Sequence, residues 1–527
     1  MPMNLAIRFA ETARRLPQKP AVFDDSGACT YGELLAAAQA VAARVRAATD
    51  RRHVAVAAPT SAAFPAAYFG VLLADRAAVP LNFLLDAPTL SFMARDAGFD
   101  TVVAARAMER LVQALGAKAV YVEDLGFAAG EGVAADAAAG RADIEPPAEA
   151  ADAPSAPSAG SGTGGLPGPG VHVPHRGGGD AATILYTSGT EGRPKGVVLS
   201  HRNLLRNVEA CNEHLALSPD NVFLGVLPFF HAFGLTTSML LPLLLGCKAV
   251  CVARFSPQKV LEAIARHRVT VAFAVSSIYR MLLRAGPPAA GADLASLRLP
   301  IAGGEALGAD LAAQFERHFG VPILEGYGMT EASPVVSVNV PGRHRPGSVG
   351  RPLPWVEPRI LDDAGRTLPP GAEGELLLRG ECVACGYLNR PDETAAAFAP
   401  EGWLRTGDLA RLDADGYLWI TGRKKDLIIS GGENISPAEI EAVLHQHPAV
   451  AEAAVIAAPD PARGEVPKAL VVLRDGAAAS AADLAAFVRC RLPRFKVPAA
   501  WEFRASLPHG PTGKVLKRLL REDGGRR

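Results

Sequence analysis

The chain has 527 residues, and its 54 Lys and Arg residues equal its 54 Asp and Glu residues in number. This length predicts about two to four domains, and the zero net charge gives no electrostatic reason to expect a nucleic-acid partner. The seven scattered cysteines are typical of a reducing cytosol and not of a disulfide framework.

The N-terminal twenty residues predict a helix and lack the apolar segment of a signal peptide. The longest apolar run, residues 232–247, is too short for a membrane span and predicts a buried helix. The sequence therefore predicts a cytoplasmic protein without a transmembrane segment. The one C-x-x-C, from Cys382 to Cys385, has no second pair or nearby histidine, so it does not predict a zinc site.

Strands and helices alternate over residues 54–124. VAVAAP, AAVPLNF, TVVAA and AVYVED predict strands, and TSAAFPAAYFGVLLADR predicts a helix between the first two. Such alternation predicts a parallel sheet. Residues 126–180 are rich in Ala, Pro, Gly and Ser and have few large apolar side chains, so they predict a flexible surface insertion. The alternation resumes at residue 183 and continues through SPQKVLEAIARHR and GADLAAQFERHFG to PILEGYG.

Beyond residue 346 the pattern predicts β-strands, joined by turns at residues 363–365 and 370–371. A boundary follows at residues 423–426, after which Ser436 and Glu439 predict the capping box of a helix. The predicted fold class is α/β. A large N-terminal domain of α/β sheet layers, residues 1–422, includes a small β-barrel-like subdomain. A small mobile α+β domain occupies residues 426–527, and a hinge lies near 423–426.

Residues 187–196, TSGTEGRPKG, follow a predicted strand and combine three glycines, three hydroxyl side chains and Lys195. Glycines let backbone N–H groups approach an anion closely, so the loop predicts a phosphate site, although the same residue types also favour plain solvent-exposed turns. It is not a standard P-loop, because no hydroxyl residue follows the lysine.

Three later segments add polar groups suited to a nucleotide. EGYGMTE at 325–331 offers a flat ring, a hydroxyl and a carboxylate that could bind Mg²⁺. GWLRTGD at 402–408 offers Asp408 for ribose hydroxyls, and PTGK at 511–514 offers Lys514 on a tight turn. Taken singly, each segment also has a plain structural explanation. The glycines of the first would serve a loop, the acid of the second would be solvated, and the lysine of the third would be exposed.

Together, TSGTEGRPKG, LPFFHAFG, AGGEAL, EGYGMTE, GWLRTGD, GRKKDLIISGGENI and PTGK, in this order, resemble the motifs of the adenylate-forming superfamily. The resemblance covers residues 10–520 apart from the insertion. It implies a reaction in two steps: a carboxylate attacks the α-phosphate of ATP and releases pyrophosphate, and a thiol, usually that of coenzyme A, then attacks the acyl-adenylate. Catalysis of such a reaction is mostly charge neutralisation and positioning.

The resemblance also implies roles for individual residues. The catalytic groups would be Lys514, Thr330, Glu331 and His231, and the groups that hold Mg²⁺ would be Thr190 and Glu331. The groups that bind ATP or AMP would be Thr187, Ser188, Gly189, Thr190, Glu191, Lys195, Gly303, Gly304, Glu305, Glu325, Gly326, Tyr327, Gly328, Thr330, Asp408, Arg423 and Lys514. Lys425 would be the hinge, and Gly431 and Gly432 would admit the pantetheine of CoA. The acyl pocket would be lined by Phe229, Phe230, His231, Ser276, Gly304, Gly328, Met329 and Val335.

Two places in the sequence indicate which class of carboxylic acid the chain would activate. Amino-acid-activating members of the superfamily carry an aspartate within the segment that matches 229–234, and none occurs here. Dicarboxylate users carry an arginine at the position of Gly326. A neutral tail is therefore expected, with a medium- or long-chain fatty acid favoured over an aryl acid. His231 would gate access of the carboxylate or simply pack.

Three functions stay open at this point. The chain is expected to be a fatty acyl-CoA synthetase, an acyl ligase that loads a carrier protein, or an inactive nucleotide- or acyl-binding relative. Retention of Lys514, Glu331 and the whole phosphate loop argues against the third. The expected partners are ATP with Mg²⁺, a carboxylic acid and CoA, and the sequence leaves open a carrier protein and a homodimer.

Overall fold

A computed structural model describes residues 3–127, 177–187, 194–286, 294–509 and 515–524. The helices in these ranges are α1 Leu5–Arg15, α2 Tyr31–Ala48, α3 Ala63–Leu73, α4 Ala87–Ala97, α5 Glu109–Ala114, α6 His201–Leu215, α7 Leu241–Leu245, α8 Pro257–His267, α9 Ser276–Ala285, α10 Ala309–Phe319, α11 Pro391–Ala397, α12 Pro437–Leu444, α13 Ala481–Arg489 and α14 Lys517–Gly524.

The strands in the same ranges are β1 Pro20–Asp24, β2 Gly27–Thr30, β3 His53–Ala57, β4 Ala77–Pro80, β5 Thr101–Ala104, β6 Lys118–Tyr121, β7 Ala181–Thr187, β8 Lys195–Ser200, β9 Val222–Gly225, β10 Lys248–Cys251, β11 Val271–Ala274, β12 Leu299–Ala302, β13 Leu324–Gly328, β14 Val335–Val338, β15 Arg351–Pro352, β16 Glu357–Leu361, β17 Glu373–Arg379, β18 Gly386–Tyr387, β19 Phe398–Ala399, β20 Trp403–Leu412, β21 Leu418–Arg423, β22 Ile428–Ser430, β23 Glu433–Ile435, β24 Val450–Asp460, β25 Gly464–Leu473 and β26 Ala500–Phe503.

Two sheets form the large N-terminal part. Nine of the described strands run in the order β15-β14-β13-β12-β11-β9-β10-β1-β2, and seven run in the order β18-β8-β7-β4-β3-β5-β6. The pairs β9–β10, β11–β12, β12–β13, β3–β4 and β3–β5 are parallel, which confirms the prediction from the alternating pattern. Strands β4, β5 and β11 are buried along their whole length, as parallel strands covered on both faces must be.

Apolar helices join the sheets into one core. Helix α3 is buried along its whole length, and Phe69 on it stacks on Phe9 of α1 with 4.0 Å between ring centroids. The apolar run at 232–247 is a buried helix, as predicted, but it begins with π-helical turns over Gly234–Leu240 before α7. A Cβ at Gly234 would lie 2.3 Å from the carbonyl oxygen of Pro228, so this glycine permits the close approach.

The β-rich prediction beyond residue 346 is also confirmed. Strands β16, β17, β20 and β19 form an antiparallel sheet, and β21 pairs with β20. Both predicted turns are present: Gly365 donates its N–H to the carbonyl of Asp362, and Ala372 donates to that of Pro369. Of the predicted insertion at 126–180, residues 128–176 lie outside the described ranges.

The C-terminal residues build a separate hydrophobic cluster, which includes Ile428 of β22, Ile440 of α12 and Val488 of α13. Helix α12 begins at Pro437 as expected, but the predicted capping box is wrong. Ser436 Oγ donates to the carbonyl of Thr421, 2.9 Å away, and Glu439 forms an ion pair with Lys496. Both side chains therefore contact residues distant in the sequence and do not cap the helix. A mobile C-terminal domain beyond residue 426 stays a prediction, which the separate core supports.

The described residues contain no disulfide and no cluster of ligand residues able to hold a metal ion, and both Cys382 and Cys385 are free thiols. Among these residues, none of the helices has the length and apolar character that a bilayer crossing requires.

Candidate active site

Several predicted motifs meet at one edge of the nine-stranded sheet. LPFFHAFG follows β9, Ser276 follows β11, Gly303 and Gly304 follow β12, and EGYGMTE includes β13. Because β9, β11, β12 and β13 are adjacent and parallel, their carboxyl ends lie side by side. Ligands of open α/β sheets bind beyond this edge. The topology thus brings together residues that lie about a hundred positions apart in the sequence.

Tyr327, Asp408 and Arg423 form a hydrogen-bonded triad. The Tyr327 hydroxyl donates to Asp408 Oδ2, and Arg423 Nε donates to Oδ1 over 2.8 Å. Asp408 on β20 and Arg423 on β21 are direct cross-strand partners, and Asp408 is only 2% exposed. Burial, and then the neighbouring Asp408, hold the pKa of Tyr327 well above its usual value. A carboxylate has lone pairs left over after two such bonds, so Asp408 can also accept from ribose hydroxyls.

Glu325 and Glu305 hold the segment that contains Gly303 and Gly304. Leu307 donates its N–H to Glu325 Oε1 over 3.0 Å, and Ser277 donates its N–H to Glu305 Oε1 over 2.7 Å. Burial raises the pKa of Glu325 to about 7, with the Leu307 hydrogen bond opposing the rise, and burial also raises the pKa of Glu305. In this structure the Glu325 carboxylate therefore holds the loop after β12 in place through the backbone N–H of Leu307.

The protonation of Glu325 gives a pH-dependent prediction. The pKa is 4.5 for an unperturbed carboxyl and about 7 in the fold, so the stability it contributes is complete below pH 4.5 and is lost as the pH rises through 7. Glu325→Gln should remove this loss. Relative to the wild type, the variant should gain at most about 3 kcal/mol between pH 4.5 and pH 8. Thermal unfolding of both proteins across this range tests it, and a constant difference between them would contradict it.

Glu331 and Lys195 both lie close to Tyr387. Glu331 is in the 3₁₀ turn Thr330–Ala332, and its Oε1 accepts a hydrogen bond of 3.0 Å from the Tyr387 hydroxyl. Lys195 Nζ lies 5.6 Å from the centroid of the Tyr387 ring and forms an ion pair with Glu393. No motif pointed to Tyr387 or Glu393, and only their position on β18 and α11 brings them here.

Of the two residues predicted to hold Mg²⁺, Glu331 is described and Thr190 is not. Magnesium is usually held by one or two carboxylates together with substrate phosphates, not by an all-protein cage. The single carboxylate of Glu331, with Oε2 available in addition to the oxygen that Tyr387 contacts, suits such a shared site. The residues present therefore fit a magnesium ion that arrives with a nucleotide.

The phosphate loop connects two antiparallel strands. Thr187 ends β7 and Lys195 begins β8, and the two residues are direct cross-strand partners. The predicted strand before the loop is confirmed, and a second strand follows the loop. Ser188, Gly189, Thr190 and Glu191 lie outside the described residues, as does Lys514, so their predicted roles stay predictions.

The predicted acyl pocket is mostly apolar where it is described. Phe229 is 2% exposed and packs edge-on against Phe64, while Phe230 packs edge-on against Phe83 at 5.1 Å. Val335 is buried and pairs with Gly328 across β13 and β14, and Met329 lies next to this pair. Ser276 Oγ donates to the carbonyl of Ala306, beside Gly304. His231 is exposed and its Nδ1 accepts the N–H of Phe233, and both the gating and the packing interpretation of this residue stay predictions.

Comparison with known proteins decides the family. Residues 9–388 match the AMP-binding enzyme family, and residues 439–514 match the AMP-binding enzyme C-terminal domain. The chain belongs to the AMP-binding enzyme family. It is 37% identical over 517 residues to a feruloyl-CoA synthase of Amycolatopsis sp, a match that covers 97% of both chains.

Other relatives support the same reaction class. A long-chain-fatty-acid–CoA ligase of Bacillus subtilis is 41% identical over 348 residues, which cover 65% of this chain and 62%, less than two thirds, of that ligase. Among solved structures, ATP-bound MatB from Rhodopseudomonas palustris superposes with a TM-score of 0.83 at 31% identity and 99% coverage of both chains. This AMP-binding enzyme is accordingly an acid–thiol ligase by family, which argues against the alternative of an inactive binding protein.

The predicted hinge and CoA residues of this AMP-binding enzyme lie in two short turns. Lys425 is in the 3₁₀ turn Lys424–Asp426 between β21 and β22, and burial lowers its pKa. Gly431 and Gly432 connect β22 to β23 with φ values of +59° and +88°, and an added Cβ at either would meet nothing within 4 Å. The positive φ values explain the glycines as a hairpin turn, and the CoA role stays a prediction.

Two glycines of EGYGMTE differ in how closely β14 approaches them. A Cβ at Gly328 would lie 2.2 Å from the carbonyl oxygen of Pro334, whereas one at Gly326 would lie 3.1 Å from that of Ser337. Gly328→Ala must displace backbone and should cost about 2–3 kcal/mol of unfolding free energy, and Gly326→Ala should cost less than about 1 kcal/mol. Thermal unfolding of the matched pair measures this, and equal losses would show that β14 moves freely.

Proposed function

We propose that this AMP-binding enzyme activates a medium- or long-chain fatty acid with ATP and Mg²⁺ and transfers the acyl group to coenzyme A. The single observation that carries the choice of acid is the neutral character of the predicted acyl pocket. Phe229, Phe230, Met329 and Val335 offer carbon surface to a tail, and Gly326 offers no cation to a second carboxylate.

The nucleotide half of the proposal is supported by the triad of Tyr327, Asp408 and Arg423. The Tyr327 ring is a flat surface for adenine, and the buried Asp408 carboxylate, held on two sides, is oriented in advance for the ribose. Preorganised groups of this kind need no rearrangement during binding. Lys195 and Lys514 would supply positive charge to the phosphates, and Mg²⁺ would neutralise them further when bound.

A substituent at position 326 would face strand β14, since its Cβ would lie 3.1 Å from the Ser337 carbonyl oxygen and 3.4 Å from the Val338 side chain. Glycine here leaves the wall at β13 without a side chain. Position 326 therefore supplies no cation to a tail that passes this wall, which favours a chain that has no charged end. A dicarboxylate would have to bury its second charge without a partner, at a cost of several kcal/mol.

A second candidate substrate is an aryl acid. The match to a feruloyl-CoA synthase, which extends over 97% of both chains, favours it. The edge-on pair of Phe230 and Phe83 also provides aromatic rings on which the ring of such an acid would pack. The acceptor is proposed as CoA because the relatives are CoA ligases. A carrier protein as acceptor, a homodimer and a cytoplasmic location stay predictions.

A panel of acids tests the proposal. Pyrophosphate release would be measured with octanoate, palmitate, ferulate and malonate, each with and without CoA, and acyl-CoA would be identified by mass spectrometry. The proposal expects the highest kcat/KM with octanoate or palmitate and negligible activity with malonate. Preference for ferulate would select the aryl alternative. Pyrophosphate release without thioester formation from CoA would select the carrier protein.

A further inference from the structure

Contacts of three kinds hold Tyr387 in place. It lies on the short strand β18, paired with Val197 of β8. The Tyr387 N–H donates to Thr394 Oγ1 over 2.9 Å, and the ring contacts Phe398 edge-on with 5.7 Å between centroids. Backbone pairing, a side-chain hydrogen bond and ring packing thus fix the direction of the phenol.

The same segment holds Glu331 at two points. The Tyr387 hydroxyl donates to Glu331 Oε1 over 3.0 Å, and the N–H of Ala384 donates to the Glu331 carbonyl over 2.8 Å. Nearby, Ser333 Oγ donates to the carbonyl of Cys382 over 2.7 Å. Both the backbone and the carboxylate of Glu331 are therefore set by residues 382–387, which no motif of the site includes.

The Tyr387 ring also lies near the phosphate-loop lysine. Lys195 Nζ lies 5.6 Å from the ring centroid and is paired with Glu393. Tyr387 therefore contacts the carboxylate suited to a metal ion through its hydroxyl and lies near the cation suited to phosphate through its ring.

We propose that Tyr387 is a positioning residue that orients the Glu331 carboxylate toward the metal of bound MgATP. The proposal rests on the proposed use of MgATP and is independent of which acid is activated. With Oε1 hydrogen-bonded to the Tyr387 hydroxyl, Oε2 is the carboxylate oxygen that would bind the ion. Groups that orient a metal ligand in this way contribute strongly to metal affinity.

Calorimetric titration of ATP in the absence of an acid tests this without catalysis. Wild type and Tyr387→Phe would each be titrated with ATP in excess Mg²⁺ and with ATP in EDTA. We expect the variant to bind MgATP about tenfold more weakly and metal-free ATP with unchanged affinity. In kinetic assays, the Mg²⁺ concentration for half-maximal activity should rise by a similar factor.

Tyr186→Phe is the matched control. The Tyr186 hydroxyl donates to Asp96 Oδ2 over 2.8 Å, so this variant also loses a hydrogen bond from tyrosine to a carboxylate, outside the predicted metal site. It should leave both ATP affinities unchanged. Equal weakening of both forms of ATP in Tyr387→Phe, or unchanged binding of MgATP, would overturn the proposal. Failure of the wild type to bind MgATP would instead refute the proposed function.

Discussion

Replacement of Lys514 by alanine should nearly abolish acyl-adenylate formation and leave thioester formation from supplied acyl-AMP largely intact. From the family resemblance, the motif PTGK is predicted to place this lysine between the acyl carboxylate and the α-phosphate, where negative charge concentrates in the first transition state. Loss of one preorganised cationic donor should lower the adenylation rate roughly a hundred- to a thousandfold. The second half-reaction consumes a mixed anhydride that no longer carries pyrophosphate, and the lysine is expected to withdraw before it begins.

The two half-reactions can be measured separately. Acid-dependent exchange of pyrophosphate into ATP reports the first, and release of AMP from synthetic acyl-AMP with CoA reports the second. Lys517→Ala is a suitable control, because Lys517 is three residues away and pairs with Glu441 over 2.6 Å, outside the predicted site. It should leave both rates nearly unchanged. An equal loss of both half-reactions in Lys514→Ala would refute the assigned role.

Local patterns in the sequence were sufficient to predict most of the framework. Strands such as β11 and helices such as α8 follow from apolar runs and from periodicity, which depend on neighbours in the chain. The parallel pairing of the strands follows from the alternation of strands and helices along the chain. The edge where the motifs meet could therefore be anticipated, because the carboxyl ends of parallel strands coincide.

Contacts between distant residues could not be predicted in the same way. Tyr387 and Glu331 are 56 residues apart, and Tyr327 and Asp408 are 81 apart. Whether two such side chains meet depends on how separate sheets pack, which no local period encodes. The error at Ser436 has the same origin, since a carbonyl on β21 outcompetes the local cap for its hydroxyl.

Replacement of Asp408 by asparagine should weaken ATP binding roughly a hundredfold, because a charged, preorganised acceptor becomes a neutral group with a donor on one side. The amide would place its NH₂ against either the Tyr327 hydroxyl or the Arg423 guanidinium. Asp408 is buried, so water cannot easily replace the lost acceptor. Equilibrium titration with ATP, together with thermal unfolding, would separate the loss of affinity from the loss of stability.

Asp413 provides a comparison within the same sheet. It follows β20, beyond Asp408 in the chain, and forms an ion pair with Arg345 over 2.6 Å. Asp413→Asn should lower the unfolding temperature and leave ATP affinity unchanged.

Asp408→Asn combined with Tyr327→Phe should lose less affinity than the two single changes added together, because both remove one shared hydrogen bond. Additive losses would mean that Tyr327 and Asp408 contact the nucleotide independently, and the triad would then not act as one preorganised unit.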